Sequence, residues 1–588
     1  MKRIALVLTA LVAAMTASAQ IQLGEKGGYM TIGLESNNIL YVNDAKLGTT
    51  YPSKFGSNDY LKLDYVNGRF SVGVQGEAYL PALQGYDDLR NNGYNKPKVM
   101  LASKYIQWQD TNYSVLVGDV YDQFGNGLIF RSFEDRQLGI NSSIEGARVT
   151  AMFGNYVAVK ALFGRPRLYS SSNNYSAGWI GSQYARSTVG GADISLSLSD
   201  MFGSQELMLS IEGSYINRRE RTDRKIEGLY IDLVDPSGEV SSTMYILQDI
   251  YGLKTPHLNM YSARMNLDYK GFSLRGEYAG KSKDVIVGSV YSDVHTMLGH
   301  TDLTKAGSAA LIELGYNVGN FSISAQMRRL EMMGTQLSVY GNIGVMGNTL
   351  NYLPALTRQQ TYMLAALNPY QMNAEGELAL QADVYYTLRS KQSRQRYWNF
   401  HANFSTAYTL KEYQTASKKR ELLWREIDVD VERQWNKQWK STVMFARQEW
   451  NTSHGQGAYI PSTTYASNIF VGDVMYKINK KFSLRMEAQY LLSKDNEGYE
   501  GDWVAGLVEF NIAPHWSVFF SDMYNLEATE ANGFNKKNYY NGGLSFTHSR
   551  TRVQVSYGRN RAGFVCSGGV CRYQPAYTGV NLMLTTSF

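Results

Sequence analysis

Apolar runs long enough to cross a membrane as a helix are missing from this 588-residue sequence once its first twenty residues are set aside. Such a helix needs about 18–20 consecutive apolar residues, so we expect no helical anchor. The chain also has no nucleophile elbow, no glycine-rich phosphate loop and no zinc motif, which argues against an enzyme and against a cofactor. Its net charge of +6 is too mild to indicate a nucleic-acid partner.

Cysteine is nearly absent, since Cys566 and Cys571 are the 2 cysteines of the chain. Residues 1–19 have the form of a cleaved signal peptide, with basic residues, an apolar run and Ala17-Ser18-Ala19 before the expected mature start. No cysteine follows that cleavage site, which excludes a lipoprotein. Export makes a disulfide between Cys566 and Cys571 the expected pairing. A metal clip is the alternative, but further ligands are missing nearby.

Aromatic residues and glycine are abundant, with 44 Tyr, 22 Phe, 9 Trp and 54 Gly against 11 Pro. They recur in hairpins whose aromatic residues bracket a tight turn, at 65–70, 108–113, 153–156, 269–272, 316–321, 435–439, 476–482 and 510–516. Asn-Gly, Lys-Gly and Gly-Asn pairs supply the positive backbone angles that such turns need. Rings repeated at one end of successive hairpins predict the aromatic girdle of a membrane-spanning β-barrel.

Apolar and charged residues alternate along the flanking strands. A charged side chain facing lipid would cost a few kcal/mol near the middle of the bilayer, so the charged faces are predicted to line the lumen. The candidate lumen-lining residues are Arg264, Asp268, Arg275, Glu277, Glu426, Asp428, Asp430, Glu432, Arg485 and Glu487. The four carboxylates in 426–432 suggest either a cation site or an ordinary wall balanced by arginines, and we favour the second.

The spacing of short turns predicts the number of strands. Eleven such turns lie near residues 67, 111, 154, 203, 270, 318, 392, 437, 479, 513 and 549, and they imply 22 strands. An opening strand at about 29–41 and a closing strand at 575–588 raise the total to about 24, within a range of 22 to 26. An even number places both termini in the periplasm. The final strand alternates and ends on Phe588, as outer-membrane barrels close. The prediction is therefore all-β, a single large antiparallel transmembrane barrel over residues 20–588.

The lumen of such a barrel needs to be filled. Its diameter would be roughly 45–50 Å, and the first strand begins too soon after the cleavage site for an N-terminal plug domain. Connection 122–144 carries Arg131, Glu134, Asp135 and Arg136, which could form a constriction if it folds inward. A solvated surface loop is the alternative. Connection 331–373 is unusually apolar, which favours an internal plug over a partner-docking surface or a gate for apolar substrates.

Two further segments carry weaker signals. The charged stretch 218–225 could contact lipopolysaccharide phosphates, although simple solvation also explains it. His295 and His300 lie beside Asp293 and Asp302 and form a distant candidate for acid–base or metal chemistry. Their spacing in a glycine-containing loop is weak support for a site.

Three segments resemble an uncharacterised family of Bacteroidota outer-membrane barrels: GDVYDQFGNGLIFRSFEDRQLGI at 118–140, NYLPALTRQQTYMLAALNPYQMNAEGE at 351–377, and VCSGGVCR at 565–572 with the terminal Phe588. The resemblance covers nearly all of the mature chain. It implies an outer-membrane location and a single barrel, and it brings no assigned substrate. Porin-like accessory barrels occur in some Bacteroidota assembly and export machines, which keeps a scaffold role open.

The expected function is a porin-like passive channel for polar solutes. The alternative is a non-conducting structural or assembly subunit of an outer-membrane complex, and a loop-sited hydrolase is a distant third. Expected partners are outer-membrane lipids and lipopolysaccharide, the barrel-assembly machinery during insertion and, for the alternative, another envelope protein.

Overall fold

The computed structural model describes residues 21–588 apart from a set of gaps. These gaps are 24–26, 52, 87–96, 168–174, 178–182, 186, 205, 221–228, 235–239, 247–256, 286–303, 338–348, 392, 394, 411–419, 452–463, 494–500 and 528–536. One antiparallel sheet dominates the described chain, and its 24 long strands are numbered β1 to β24 in chain order.

The strand bounds follow from the alternation and the turns. They are β1 Tyr29–Val42, β2 Phe55–Asn67, β3 Phe70–Tyr79, β4 Lys98–Gln109, β5 Tyr113–Val120, β6 Ile144–Phe153, β7 Val157–Pro166, β8 Thr188–Ser197, β9 Leu207–Arg219, β10 His257–Tyr269, β11 Phe272–Val285, β12 Thr304–Val318, β13 Phe321–Glu331, β14 Gly376–Arg389, β15 Tyr397–Thr409, β16 Leu422–Gln434, β17 Trp439–Asn451, β18 Thr464–Lys477, β19 Phe482–Ser493, β20 Trp503–Ile512, β21 Trp516–Asn525, β22 Asn538–His548, β23 Thr551–Asn560 and β24 Tyr577–Ser587.

The sheet closes on itself. Each strand is hydrogen-bonded to the next along the chain, and β24 returns to β1 with Ser587 opposite Gly33 and Thr578 opposite Val42. A two-residue strand, Ile21–Gln22, adds to the start of β1. Closure pairs every strand on both sides, which removes the exposed edges of an open sheet. The predicted count of about 24 strands and the predicted opening and closing strands are confirmed.

All eleven predicted short turns join neighbouring strands at one end of the barrel. Gly68 links β2 to β3 with a φ of 57°, and Lys270 links β10 to β11 with a φ of 47°. The connection between β8 and β9 contains a five-residue helix, Leu198–Phe202, capped by Ser197. Exposed rings cluster at this end, as the girdle prediction requires: Phe70, Tyr113, Phe153, Tyr156, Phe202, Tyr269, Phe272, Tyr316, Trp435, Trp439 and Trp516.

The two faces of the wall differ in polarity. On β10, Tyr261, Met265 and Tyr269 are exposed on the outer face, whereas Ser262 and Arg264 are buried on the inner face. Antiparallel partners share a face, so the register extends this assignment around the barrel. An apolar outer face and a polar inner face make the sheet a transmembrane barrel. Separately, no helix among the described residues is long and apolar enough to span a membrane.

The long connections all lie at the other end, and short strands form inside several of them. These are Asp122–Phe124 with Phe130–Ser132, Glu134–Asp135 with Ile140–Asn141, Tyr175–Ala177 with Gln183–Ala185, Leu229–Val234 with Val240–Ile246, and Gly563–Ser567 with Val570–Gln574. The connections that matter for the lumen are 121–143 and 332–375. The predicted bounds were wrong by a few residues, because Ile144 already begins β6, and Ala374 and Glu375 still precede β14.

Candidate functional site: the barrel lumen

Connection 121–143 contacts the inner face of the wall on three sides. Asp122 lies 2.6 Å from the ammonium of Lys160 on β7 and 3.5 Å from Arg148 on β6. The backbone N–H of Asn126 donates to Glu277 on β11 at 3.1 Å. These partners all lie on the inner face, and Glu277 is one of the residues predicted to line the lumen.

The four candidate constriction residues do not form one ring. Arg136 pairs with Glu35 on β1 at 3.0 Å and donates to Gln75 on β3 at 3.1 Å. Glu134 accepts from Gln75 at 2.6 Å. Arg131 instead lies over the ring of Tyr352, 3.7 Å from its centroid, and Asp135 accepts from the backbone N–H of Leu138 within its own turn. Arg136 and Glu134 therefore face the wall, while Arg131 faces connection 332–375.

Burial and neighbouring charges shift the pKa of Arg136 in opposite directions. Removal from water disfavours its charged form, but Glu134 and Glu35 stabilise the guanidinium, and the pKa of Arg136 is raised above its usual value. The side chain therefore stays cationic at any physiological pH.

Connection 332–375 is hydrogen-bonded to a buried ion pair that belongs to the wall at β9–β11. Arg218 on β9 lies 2.7 Å from Asp284 on β11, and both side chains are almost fully buried. Arg218 also donates to the carbonyl oxygen of Gln336 at 2.5 Å, and Asp284 accepts from the hydroxyl of Thr335 at 2.5 Å. Lys281 adds a hydrogen bond to the carbonyl of Gly334 at 2.8 Å.

The sequence assigned Arg218 wrongly to a surface loop. The residue continues the alternation of β9 through 212, 214 and 216, which is the inner face. The charged neighbours 219–225 obscured that alternation, because a run of both charge signs is typical of a solvated segment. Arg218 is therefore excluded from contact with lipopolysaccharide, and 221–225 lie outside the described residues.

The same connection contacts β16–β19 a third of the way around the barrel. Arg358 pairs with Asp430 at 2.6 Å, and the amide of Gln360 donates to Glu426 at 2.9 Å and to Asp428 at 2.8 Å. The carboxylates outweigh the burial penalty and raise the pKa of Arg358. The backbone N–H of Leu364 donates to Gln489 at 2.8 Å.

The two connections also pack on each other. The backbone N–H of Tyr352 donates to the carbonyl of Gly127 at 2.9 Å, and the amide of Asn351 donates to the carbonyl of Leu128 at 3.1 Å. Around these bonds lies a buried apolar cluster that joins both connections to the wall, and it includes Phe124, Leu128, Ile129, Phe130, Met333, Leu337, Leu350 and Leu353. Among the described residues of this connection, Met333, Leu337, Leu350 and Leu353 are therefore buried by internal packing.

A disulfide hairpin completes the contents of this end of the lumen. Cys566 and Cys571 are bonded across the hairpin Gly563–Ser567 and Val570–Gln574. Its tip meets the second connection, because the backbone N–H of Ala355 donates to the carbonyl of Gly569 at 3.3 Å. Arg572 donates to the carbonyl of Gln137 at 2.8 Å.

A cleft of about 780 Å³ remains between these connections and the wall at β1 and β21–β24. Most of its polar lining consists of neutral amides. The lining includes Asn37, Asn541, Gln554, Asn560 and Asn581 from the wall, Met363 and Met523, and four charged residues, Glu35, Arg136, Arg561 and Arg572. Toward the short-turn end, the inner-face side chains of Arg552 and Thr585 are exposed.

The remaining candidate lumen residues lie on the inner face in local networks. Arg264 pairs with Glu212 at 2.7 Å and with Asp193. Arg485 bridges Asp473 at 2.9 Å and Glu487 at 2.8 Å. Glu432 pairs with Lys440 at 2.8 Å. On the same face, Asp268 is half-buried and Arg275 is exposed.

His401 on β15 is a lumen residue that sequence reasoning missed. Its Nδ1 lies 2.8 Å from Asp430 and its Nε2 lies 3.0 Å from Asp383. Alternation of β15 could have placed His401 inside, but only the register reveals both acidic neighbours.

The predictions that remain concern the histidine pair and metal binding. His295 and His300 lie in 286–303, outside the described residues. Among the residues that the structure describes, no group of three or more His, Cys, Asp or Glu side chains is placed to hold a metal ion.

A family model matches the whole chain, residues 1–588, and its description is a family of unknown function (DUF6029). This protein is a member of that family. The resemblance to a barrel family without an assigned function is thereby confirmed, while the Bacteroidota lineage stays a prediction. No curated protein matches the sequence.

Solved structures of large outer-membrane proteins superpose on the chain only loosely. The siderophore receptor PirA from Pseudomonas aeruginosa is 8% identical with a TM-score of 0.39, covering 95% of this chain and 80% of its own. The translocation pore of the P pilus usher PapC is 9% identical with a TM-score of 0.40, covering 95% and 99%. The copper transporter OprC is 9% identical with a TM-score of 0.39, covering 97% and 82%. Similarity at this level assigns no substrate.

Proposed function

We propose that this DUF6029 protein spans the outer membrane and acts as a passive channel for polar solutes, narrowed by its own connections. In this orientation the long connections face the exterior and the short turns face the periplasm, as in bacterial barrels generally. The pore is the cleft along β1 and β21–β24, beside the described parts of 121–143 and 332–375.

The observation that carries the proposal is the character of the cleft of about 780 Å³. Its wall residues Asn541, Gln554 and Asn581 offer both hydrogen-bond donors and acceptors without a fixed charge. Such a lining can replace the water around a polar solute without holding it tightly, and conduction requires that balance.

The distribution of contacts supports the same location. The two connections contact the wall at β1–β3, β6–β7, β9–β11 and β16–β19, through the ion pairs and hydrogen bonds given above. Toward β21–β24, Arg561 in the connection after β23 donates to the carbonyl of Leu367 at 2.9 Å, and Leu364 and Leu367 belong to an apolar cluster that Met523 and Tyr539 pack against. A path for solutes is therefore expected along the cleft that remains beside these contacts.

The test is single-channel conductance in a planar bilayer with two matched variants. Gln554 lines the cleft, whereas its neighbour Val555 is exposed on the outer face. We expect Gln554→Trp to reduce the conductance of each open channel to less than half, and Val555→Trp to leave it unchanged. Equal conductance in all three proteins would place the pore elsewhere.

The second candidate is a non-conducting structural subunit. It is favoured by the hydrogen bonds that join Thr335 and Gln336 to the buried ion pair of Arg218 and Asp284 on the wall. A variant with residues 337–372 replaced by a Gly/Ser linker separates the two candidates. A silent natural protein beside a conducting linker variant would identify the connection as a permanent plug and reject the channel.

A further inference from the structure

A second, smaller cavity of about 280 Å³ lies between segment 355–370, the wall at β16 and β17, and the disulfide hairpin. It adjoins the proposed pore, since Ala366 and Phe564 line both. Its walls combine aromatic rings with polar groups, namely Tyr370, Trp424 and Phe564 with Arg358, Gln360, Glu426 and Gln448. The rings of Tyr370 and Trp424 stack with their centroids 5.7 Å apart.

Hydrogen-bond acceptors in this region lack donors. The side chain of Glu426 is only 1% exposed. Its Oε1 accepts from Gln448 at 2.7 Å and from Gln360 at 2.9 Å, but its Oε2 has no partner among the described residues. The Oε1 atom of Gln360 is likewise buried without a donor. An acceptor left in this state costs about 1–3 kcal/mol, and more when it is charged.

Negatively charged groups outnumber positively charged ones around the cavity. Asp428 neighbours Glu426 on the inner face of β16, and its Oδ2 is also buried without a partner in the described structure. Arg358 is the cation that lines the cavity, and it is bonded to Asp430 at 2.6 Å. The carboxylate of Glu426 therefore receives only amide donors, so a cation with N–H groups would complement it.

We propose that this cavity binds a small primary amine, with its ammonium group at Glu426 Oε2 and Gln360 Oε1. An ammonium supplies three N–H donors, and aromatic walls stabilise a nearby organic cation by about 0.5–2 kcal/mol. A metal ion is disfavoured, because no cluster of three suitable ligands exists among the described residues.

The indole of Trp424 narrows the class of ligand further. Its Nε1–H is buried without an acceptor in the described part of the chain. A ligand that carries a hydroxyl as well as an ammonium offers an acceptor for this N–H besides donors for the two oxygens, so the expected class is amino alcohols. This site goes beyond the channel proposal and does not depend on it, because binding is measured on detergent-solubilised protein without conduction.

The test is calorimetric titration of the purified mature protein in detergent with ethanolamine. We expect saturable binding of one molecule per chain and a loss of affinity of at least tenfold in Glu426→Gln. Glu432→Gln is the matched control, since that carboxylate lies on the same strand but pairs with Lys440. Its affinity should equal that of the natural protein. Tetramethylammonium, which has no N–H, and ethylene glycol, which has no charge, should bind at least tenfold more weakly.

Three results would overturn the proposal: absence of saturable binding, equal affinity in Glu426→Gln, or equal binding of ethylene glycol. Circular dichroism establishes that each variant is folded. If Glu426→Gln fails to fold, Trp424→Phe replaces it, because the ring stays and only the N–H is lost. That variant should lose the preference for ethanolamine over ethylamine, and an unchanged preference would reject the site.

Discussion

Arg218 and Asp284 form an ion pair 2.7 Å long, although they belong to strands β9 and β11 that are not neighbours in the barrel. Strand β10 lies between them, so the two side chains meet inside the lumen above its inner face. The pair is closed over by 332–375, through bonds to Thr335 and Gln336. It therefore couples the wall to the connection rather than one strand to the next.

Removing one partner of this pair should be costly. Asp284→Ala leaves the guanidinium of Arg218 buried and without its main counter-charge, which typically costs about 3–5 kcal/mol. We expect 332–375 to detach before the barrel unfolds. Limited proteolysis of the folded protein measures this detachment as new cleavage within 332–375. Glu331→Ala is the control, because its partner Arg329 is 45% exposed and such pairs contribute about 0–1 kcal/mol. Equal protease resistance in the two variants would contradict the role given to Asp284.

The charges of the proposed pore predict a weak preference for anions. Three arginines and one glutamate line the cleft, and Glu35 is already paired with Arg136. Arg561 and Arg572 are left in excess. We expect the reversal potential in a salt gradient to show anion preference, and Arg561→Gln combined with Arg572→Gln to abolish it. Cation selectivity in the natural protein would argue that ions take a different path.

We expect the disulfide to stabilise the 561–576 connection rather than the whole barrel. A bond that closes so short a loop, with the cysteines 5 positions apart, contributes about 2 kcal/mol by the chain-entropy estimate. In Cys566→Ser with Cys571→Ser, we expect a folded barrel whose 561–576 connection is cleaved faster by protease. The current through the cleft should also become noisier, because Arg561 precedes this hairpin, Arg572 lies within it, and both line the cleft. Unfolding of the whole barrel would instead assign the disulfide a global role.

Asp44 predicts that the stability of the folded protein decreases in acid. It lies outside the strands, between β1 and β2, and pairs with Arg559 at 2.7 Å. Burial alone would raise its pKa, but hydrogen bonds from Arg559 and Thr578 lower the pKa to about 2 from a usual 3.8. Because the folded pKa is lowered, the stabilisation is complete above about pH 4 and is lost as the pH falls toward 2.

The corresponding measurement compares thermal unfolding of the natural protein and Asp44→Asn in detergent. The difference in Tm should be constant between pH 5 and 8 and should shrink to zero near pH 2. A difference that persists at pH 2 would show that the substitution acts through packing rather than through charge.

The wall was predictable because its determinants are local. Alternation over 10–15 residues and a turn residue such as Gly68 or Lys270 are read directly from the sequence. The lumen was not predictable in the same way. Arg136 and Glu35 are 101 positions apart, and Arg358 and Asp430 are 72 apart, so their pairing depends on where a connection docks. Composition indicated that 331–373 was too apolar for solvent, but it could not select the wall strands that hold it.

Attachment of the connections to separated parts of the wall has a mechanical consequence. Arg136 is bound to Glu35 on β1, Thr335 to Asp284 on β11, and Arg358 to Asp430 on β16. These strands are ten and five apart in a ring of 24, and the connections that carry Arg136, Thr335 and Arg358 are bonded to each other at Tyr352 and Gly127. A wide ring of strands is easily flattened by lateral pressure from lipids. Connections that link separated parts of the wall through the lumen resist that flattening. The cross-section of this barrel should therefore stay round in membranes of different tension.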